Sequence, residues 1–331
     1  MKKRDYNLVY FKSENARMSI KDLSSHLKKS PQRLKYSISL LEKEGLIKNP
    51  HGIFDYSYFG LILFKVYFKS GYINEEVKKD LIKKLLENPY ITSIYELTGE
   101  FDLVMEFACP NPSKFNKEFK KVTSLTKVLN DYKIILNIVT YIYPRSYMLK
   151  GLKFENFSIE RIIGGDREIK GFSENEILII KTLLLSPLIR FTDLSKKSGL
   201  NVKTVKSVMR NLLKKNFIKG FRYTLDVDKL DITKFRIFLK LHNLDSQTES
   251  EFMDYITKNE EIVELNKTVG DWDVEIDIES LDKNKIRKTI LNIRERFKHI
   301  IERFNLIEMY SYHKKSYLPL YIFKEESPSI S

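Results

Sequence analysis

The sequence predicts an α+β fold in which a short helical unit and a βαββαβ unit alternate twice along 331 residues. Three observations predict it. Two stretches, Ile20 to Asn49 and Phe191 to Gly220, each read as two short helices, a tight turn and a run into a strand. Each is followed by a strand–helix–strand–strand–helix–strand pattern. The halves also match at one separation of 171 positions, which sets Asp22–Leu23–Ser24 on Asp193–Leu194–Ser195 and Gly99–Glu100–Phe101–Asp102 on Gly270–Asp271–Trp272–Asp273. A single separation shared by helices and hairpin marks an internal duplication.

In the later helical stretch, Val202, Val205, Met209 and Leu212 form an apolar stripe at helical spacing. Lys203, Thr204, Lys206, Ser207 and Arg210 fall on the other face, and the turn sits at Ser198–Gly199–Leu200. In the earlier stretch Ser19 with Asp22 resembles a capping box, and Ser30–Pro31 supplies an N-cap with proline at the first helical position. Leu34, Ile38 and Leu41 point inward, leaving Gln32, Arg33, Lys35, Tyr36 and Ser39 outward. A short braced helix with a basic, hydroxylated outer face fits a DNA major groove. Phe217 to Arg222 reads as the first strand of a wing, with Arg222 available to DNA. Each stretch is therefore a winged helix-turn-helix.

The first βαββαβ unit has strands at Leu61–Lys69, Ile91–Leu97, Phe101–Phe107 and Tyr132–Tyr143, with helices at Asn74–Asn88 and from Pro112 to about Val128. In the second, Phe235–His242, Ile262–Val269, Asp273–Ile278 and Ile300–Tyr312 are the strands, with helices at Thr248–Lys258 and Lys283–Phe297. Both are ferredoxin-like in order. The expected organisation is a winged helix-turn-helix at 1–58, a ferredoxin-like domain at 59–144 and a linker at 145–171. The same pair follows at 172–230 and 231–320, with a tail at 321–331. The glycine pair Gly164–Gly165 reads as a flexible joint, because no strand feeds it into a phosphate-loop pattern.

The formal charge is +14, with 58 Lys and Arg against 44 Asp and Glu, and favours a polyanionic partner. Cys109 is the only cysteine, which excludes an intrachain disulfide and a cysteine zinc site and makes a reducing, cytoplasmic setting the default. No stretch reaches the roughly 20 apolar residues of a membrane span. Leu61–Phe68 comes nearest and contains Lys65. The N-terminus lacks the features of a signal peptide. His26, His51, His242, His299 and His313 match no metal or catalytic spacing, so neither metal nor cofactor is expected.

A winged helix-turn-helix followed by a βαββαβ domain whose central hairpin reads G-x-aromatic-D resembles the Lrp/AsnC family of transcriptional regulators. The family unit occurs twice and covers nearly the whole chain. The resemblance implies dimerisation through the βαββαβ domain and an amino acid or similar small effector beside the hairpin. Effector contacts carry over to Gly99, Asp102, Gly270 and Asp273, with Glu100 and Asp271 beside them. Turn architecture alone is the competing account of those residues, because glycine supplies positive φ and aspartate caps turns. The family also has a branch that decarboxylates sirohaem and relies on an Arg- and His-bearing stretch at this hairpin. The residues here are acidic instead, which predicts that the chain is not an enzyme.

The expected function is a sequence-specific regulator that binds double-stranded DNA. Its ferredoxin-like domains would pair as an intrachain pseudo-dimer or in a homo-oligomer. The alternative is a ligand-sensing or scaffold protein whose winged helices bind other proteins.

Overall fold

The computed structural model describes residues 4–69, 75–125, 129, 131–151, 161–243 and 245–323. The chain begins with a helix that the sequence pattern did not mark, α1 (Tyr6–Glu14), capped by the Asp5 carboxylate on the Leu8 N–H. Two short helices follow, α2 (Ile20–Leu27) and α3 (Pro31–Lys43), capped by Ser19 and Ser30. Strand β1 (Ile47–Phe54) leads out of this unit.

The first βαββαβ unit is β2 (Ile62–Lys69), α4 (Glu75–Leu86), β3 (Ile91–Thr98), β4 (Leu103–Cys109), α5 (Pro112–Thr123) and β5 (Asp131–Ile142). The expected continuation of α5 toward Val128 falls on residues outside the described set. After a short strand β6 (Ile162–Gly164) the plan repeats with α6 (Glu174–Leu185), α7 (Phe191–Ser198), α8 (Val202–Lys214) and β7 (Ile218–Leu225). The second βαββαβ unit is β8 (Thr233–Leu241), α9 (Ser246–Lys258), β9 (Ile262–Val269), β10 (Val274–Ser280), α10 (Lys283–Arg296) and β11 (Ile301–Lys315).

Each unit forms an antiparallel four-stranded sheet, ordered β5-β2-β4-β3 in the first half and β11-β8-β10-β9 in the second. The sheets then pair with each other. β3 runs antiparallel to β11, with Thr98 opposite Glu308, and β9 runs antiparallel to β5, with Val269 opposite Leu136. Each half offers the other the same two edges, as an isologous two-fold contact requires. The eight strands close into a ring, which removes the unpaired edges that either sheet would expose alone.

Outward residues pack under the helices. Phe64, Phe107, Phe115 and Phe119 form one such layer beneath α4 and α5, and Ile237, Ile276, Phe252 and Ile293 another beneath α9 and α10. The inside differs from end to end. At the hairpin end Phe101, Val104, Ile135, Phe238, Trp272 and Ile307 make an apolar plug, with the Trp272 ring 5.6 Å from Phe238. Further in, the ring is charged. Lys65 reaches Glu275 at 2.7 Å, and Arg236 grips Asp277 at 2.6 and 3.0 Å while donating to the Tyr67 and Tyr95 hydroxyls at 2.8 and 2.6 Å. Arg236 belongs to the second half and both tyrosines to the first, so these bonds join the halves.

The described part of the expected linker is held in place. β6 pairs with β5, the Gly164 N–H donates to the Asp55 carboxylate at 3.0 Å, and the Gly165 N–H donates to the Ile138 carbonyl at 2.7 Å. Gly164 has φ +84°, and a Cβ there would lie 2.7 Å from the Ile138 oxygen. The glycine pair is a pinned crossing, which corrects its reading as a flexible joint. Residues 152–160 of that segment lie outside the described set. Among the described residues no helix is long and apolar enough to cross a membrane.

Candidate nucleic-acid interface

The two helix-turn-helix units repeat in detail. In the first, the Ser24 hydroxyl donates to the Lys29 carbonyl at 2.6 Å, and in the second Ser195 donates to the Leu200 carbonyl at 2.5 Å. Each bond ties α2 or α7 to the turn that aims the next helix. The turn residues Lys28 and Gly199 take left-handed φ of 51° and 67°. Leu34 and Ile38 bury the inner face of α3, and Val205, Met209 and Leu212 that of α8.

The outer faces are open. Gln32, Arg33, Lys35, Tyr36 and Ser39 are exposed on α3, Tyr36 at 71%. Lys203, Lys206, Ser207 and Arg210 are exposed on α8, whereas Thr204 is half-buried. Its hydroxyl and N–H both point at the capping carbonyl of Asn201, at 3.1 and 2.8 Å, so Thr204 secures the helix start. Neither helix has an acidic residue in its first turn, so both positive N-terminal ends are open to phosphate.

Arg222 does not join them. It is 5% exposed and its guanidinium is paired with the Glu14 carboxylate. The wing strands are there, but the two halves build them together. One strand follows each reader helix, and β7 pairs antiparallel with β1 of the other half, with Ile47 opposite Leu225 and Gly52 opposite Phe221. The two halves thus share one ribbon in place of two separate wings. α1 packs against β7, which buries a side chain that a free wing would turn to DNA.

Glu14 is the hub beneath this ribbon. Besides Arg222 it holds Arg161 at 2.5 Å and Arg145 at 3.3 Å, and Arg145 continues to Glu279 in the ring at 2.8 Å. Burial alone would raise the Glu14 pKa. The guanidiniums of Arg222, Arg161 and Arg145 outweigh that and hold it down to about 2. His51, in the ribbon opposite Arg222, has its pKa lowered to about 3 by desolvation and by the nearby cations Lys315, Arg222 and Arg145. His313 bridges to Glu96 at 2.5 Å across the β3–β11 seam.

The residues assigned to an effector lie at the opposite end of the ring. Gly99 and Gly270 have φ of +136° and +144°, where glycine is favoured, and each hairpin tip abuts the last strand of the other half. A Cβ on Gly270 would sit 3.3 Å from the Ile134 oxygen, and one on Gly99 3.8 Å from Ile307. The Asp273 carboxylate accepts from the Leu241 N–H and Lys240 Nζ, both at 2.8 Å. Asp102 anchors its hairpin through main-chain bonds to Phe68 and Leu97. The structure brings the two hairpins together at Lys133, which lies 3.0 Å from Glu100 and 3.4 Å from Asp271.

Comparison with known proteins bears on the fold and on the expectation that the chain is not an enzyme. The crystal structure of the siroheme decarboxylase NirDL aligns over 96% of this chain and 94% of its own, with a TM-score of 0.57 and 13% identity. The same enzyme in co-complex with an iron-uroporphyrin III analogue aligns equally well, at TM-score 0.57. At that identity the likeness establishes the fold across both halves. It also overturns the exclusion of an enzyme, because an enzyme is built on this tandem architecture. One acidic hairpin cannot exclude catalysis on a fold whose sites can be placed elsewhere. The winged helix-turn-helix DNA-binding family pattern matches residues 13–48. An uncharacterised HTH-type transcriptional regulator of Pyrococcus furiosus is 28% identical over 111 residues, which cover 33% of this chain and 72% of that protein. The chain thus carries a winged helix-turn-helix and a ferredoxin-like domain twice each, with the sheets of the two halves paired.

Proposed function

We propose that this protein regulates transcription by presenting two non-identical reader helices, α3 and α8, to one DNA duplex. The observation that carries it is the pair of solvent-facing, acid-free helix starts, each set on its own buried stripe in a body that fixes their spacing. Lys35, Lys203 and Lys206 would meet phosphates, and Arg33, Arg210 and Gln32 base edges. An amino-acid effector is the finer part of this proposal, and its support is that both glycine-aspartate hairpins meet at Lys133.

Mobility shifts on genomic fragments at two salt concentrations test the proposal. Arg33→Ala and Arg210→Ala should each weaken the preferred site by about 1–3 kcal/mol, roughly ten- to hundredfold, and relax sequence preference. Lys203→Ala should weaken all duplexes alike and lower the salt slope by about one. Equal losses on every sequence would reassign the arginines to the backbone, and no shift by the wild type at either salt would favour the scaffold alternative.

A second reading is favoured by the whole-chain fold shared with NirDL. Incubation with iron-uroporphyrin III, followed by mass spectrometry for loss of carboxyl groups, tests it.

A further inference from the structure

Between the two helix-turn-helix units lies a cleft of about 550 Å³. One wall is the end of α1 with α2 and the 35–42 face of α3, and the other is the turn between α6 and α7. Its volume is in the range of small-molecule sites, and its floor is apolar, with Met18, Ile38, Ile189 and Phe191 among the lining residues.

Its charges are unbalanced. Lys12, Arg17, Lys35 and Arg190 line it against one carboxylate, Glu42, which already accepts from the Tyr223 hydroxyl at 2.6 Å. Among the described residues none of these four cations has a carboxylate within ion-pair distance. Buried cations elsewhere do: Lys65, Lys234 and Arg236 each hold at least one. Lys12 is only 9% exposed; its amine donates to the Ala16 carbonyl at 2.6 Å and lies 5.9 Å from the Tyr223 ring centroid, with no carboxylate in ion-pair reach among the described residues. The Arg17 guanidinium lies 5.2 and 5.1 Å from the Phe191 and Phe221 ring centroids and donates to the Pro187 and Ile189 carbonyls. Burial lowers the pKa of both side chains, at Lys12 in spite of the opposing pull of Glu42, and a further anion would relieve that cost.

We infer that this cleft binds an amphipathic monocarboxylate of roughly ten heavy atoms, its apolar body on the floor and its carboxylate at Lys12 and Arg17. Among the described residues the site is not repeated in the second half. The positions 171 further on from Lys12 and Arg17 are Leu183 and Leu188, so the duplicated half lacks the cations. The occupant would also reach Lys35 on the exposed face of α3 and compete with DNA there. That regulatory step rests on the function proposed above, whereas ligand binding does not.

Calorimetric titration of the full chain with octanoate and with its neutral counterpart octanamide, at constant ionic strength, tests the inference. Octanoate should bind at one site per chain and at least about tenfold more tightly than octanamide. Lys12→Met should reduce octanoate affinity about tenfold and leave octanamide within about twofold. Should that variant not fold, the exposed variant Arg190→Met should still lower octanoate affinity severalfold. No octanoate binding, equal binding of both probes, or two equivalent sites would overturn the site. If octanoate binds while the wild type shifts no DNA, the cleft stands and the regulator function falls. If DNA binds equally with and without bound octanoate, the competition step is overturned.

Discussion

Replacing Glu14 with leucine is expected to destabilise the chain by about 3–5 kcal/mol, the usual cost of leaving buried charges without their partner. Leucine is a fair probe because Leu185 occupies the duplicated position 171 residues on. Three guanidiniums, Arg145, Arg161 and Arg222, converge on the Glu14 carboxylate. They come from the segment between the halves and from β7, so one carboxylate fastens the first reader unit to the second half.

The pH dependence has a definite sign. The folded pKa of Glu14 lies below its ordinary value near 4.5, at about 2. A depressed carboxylate contributes its stability above the unfolded pKa and loses it as pH falls through the folded one. Wild-type stability should therefore decline between roughly pH 4.5 and 2, by on the order of 3 kcal/mol from this group. The decline should be shallower in Glu14→Leu. Urea denaturation at pH 7 and pH 3 measures both effects, and an unchanged midpoint at pH 7 would show that the hub holds nothing together.

Arg236→Met should cost a similar amount, about 3–5 kcal/mol. Arg236 is 1% exposed, grips Asp277 with two bonds and donates to Tyr67 and Tyr95 of the other half. Removing it leaves Asp277 with Lys234 alone, at 3.5 Å. The double variant Arg236→Met/Asp277→Leu should recover more than about half of the loss, since replacing a whole buried pair is far milder than breaking one. Additive losses in the double-mutant cycle would mean that the two side chains act independently.

These two sites also mark where the sequence stopped being informative. Local chemistry was legible: Ser19 and Ser30–Pro31 cap helices as their spacing implies, and Gly199 turns where glycine is favoured. The outer faces of α3 and α8 were legible because one face of each helix is dry and the other wet. Helix α1 was not, because Leu8, Val9, Tyr10, Phe11 and even Lys12, Ser13 and Glu14 are buried, which erases the periodicity.

The strands misled in a different way. Alternation along β8 and β10 gives the period but not which face is wet. Arg236, Glu275 and Asp277 alternate with isoleucines and so suggest a solvated face, yet they fill a closed ring. Arg222 was misplaced for the same reason, since its ribbon is made by both halves and covered by α1. The cations lining the inter-reader cleft come from four separate elements, so no local motif could group them.

The central claim is that one chain holds two different reader helices in fixed register on one duplex. Selection of binding sites from random duplexes by the full chain, at near-physiological salt, tests it most directly. The account predicts one asymmetric site with two unlike half-sites about one helical turn apart. A perfect palindrome, or no enrichment at all, would contradict it.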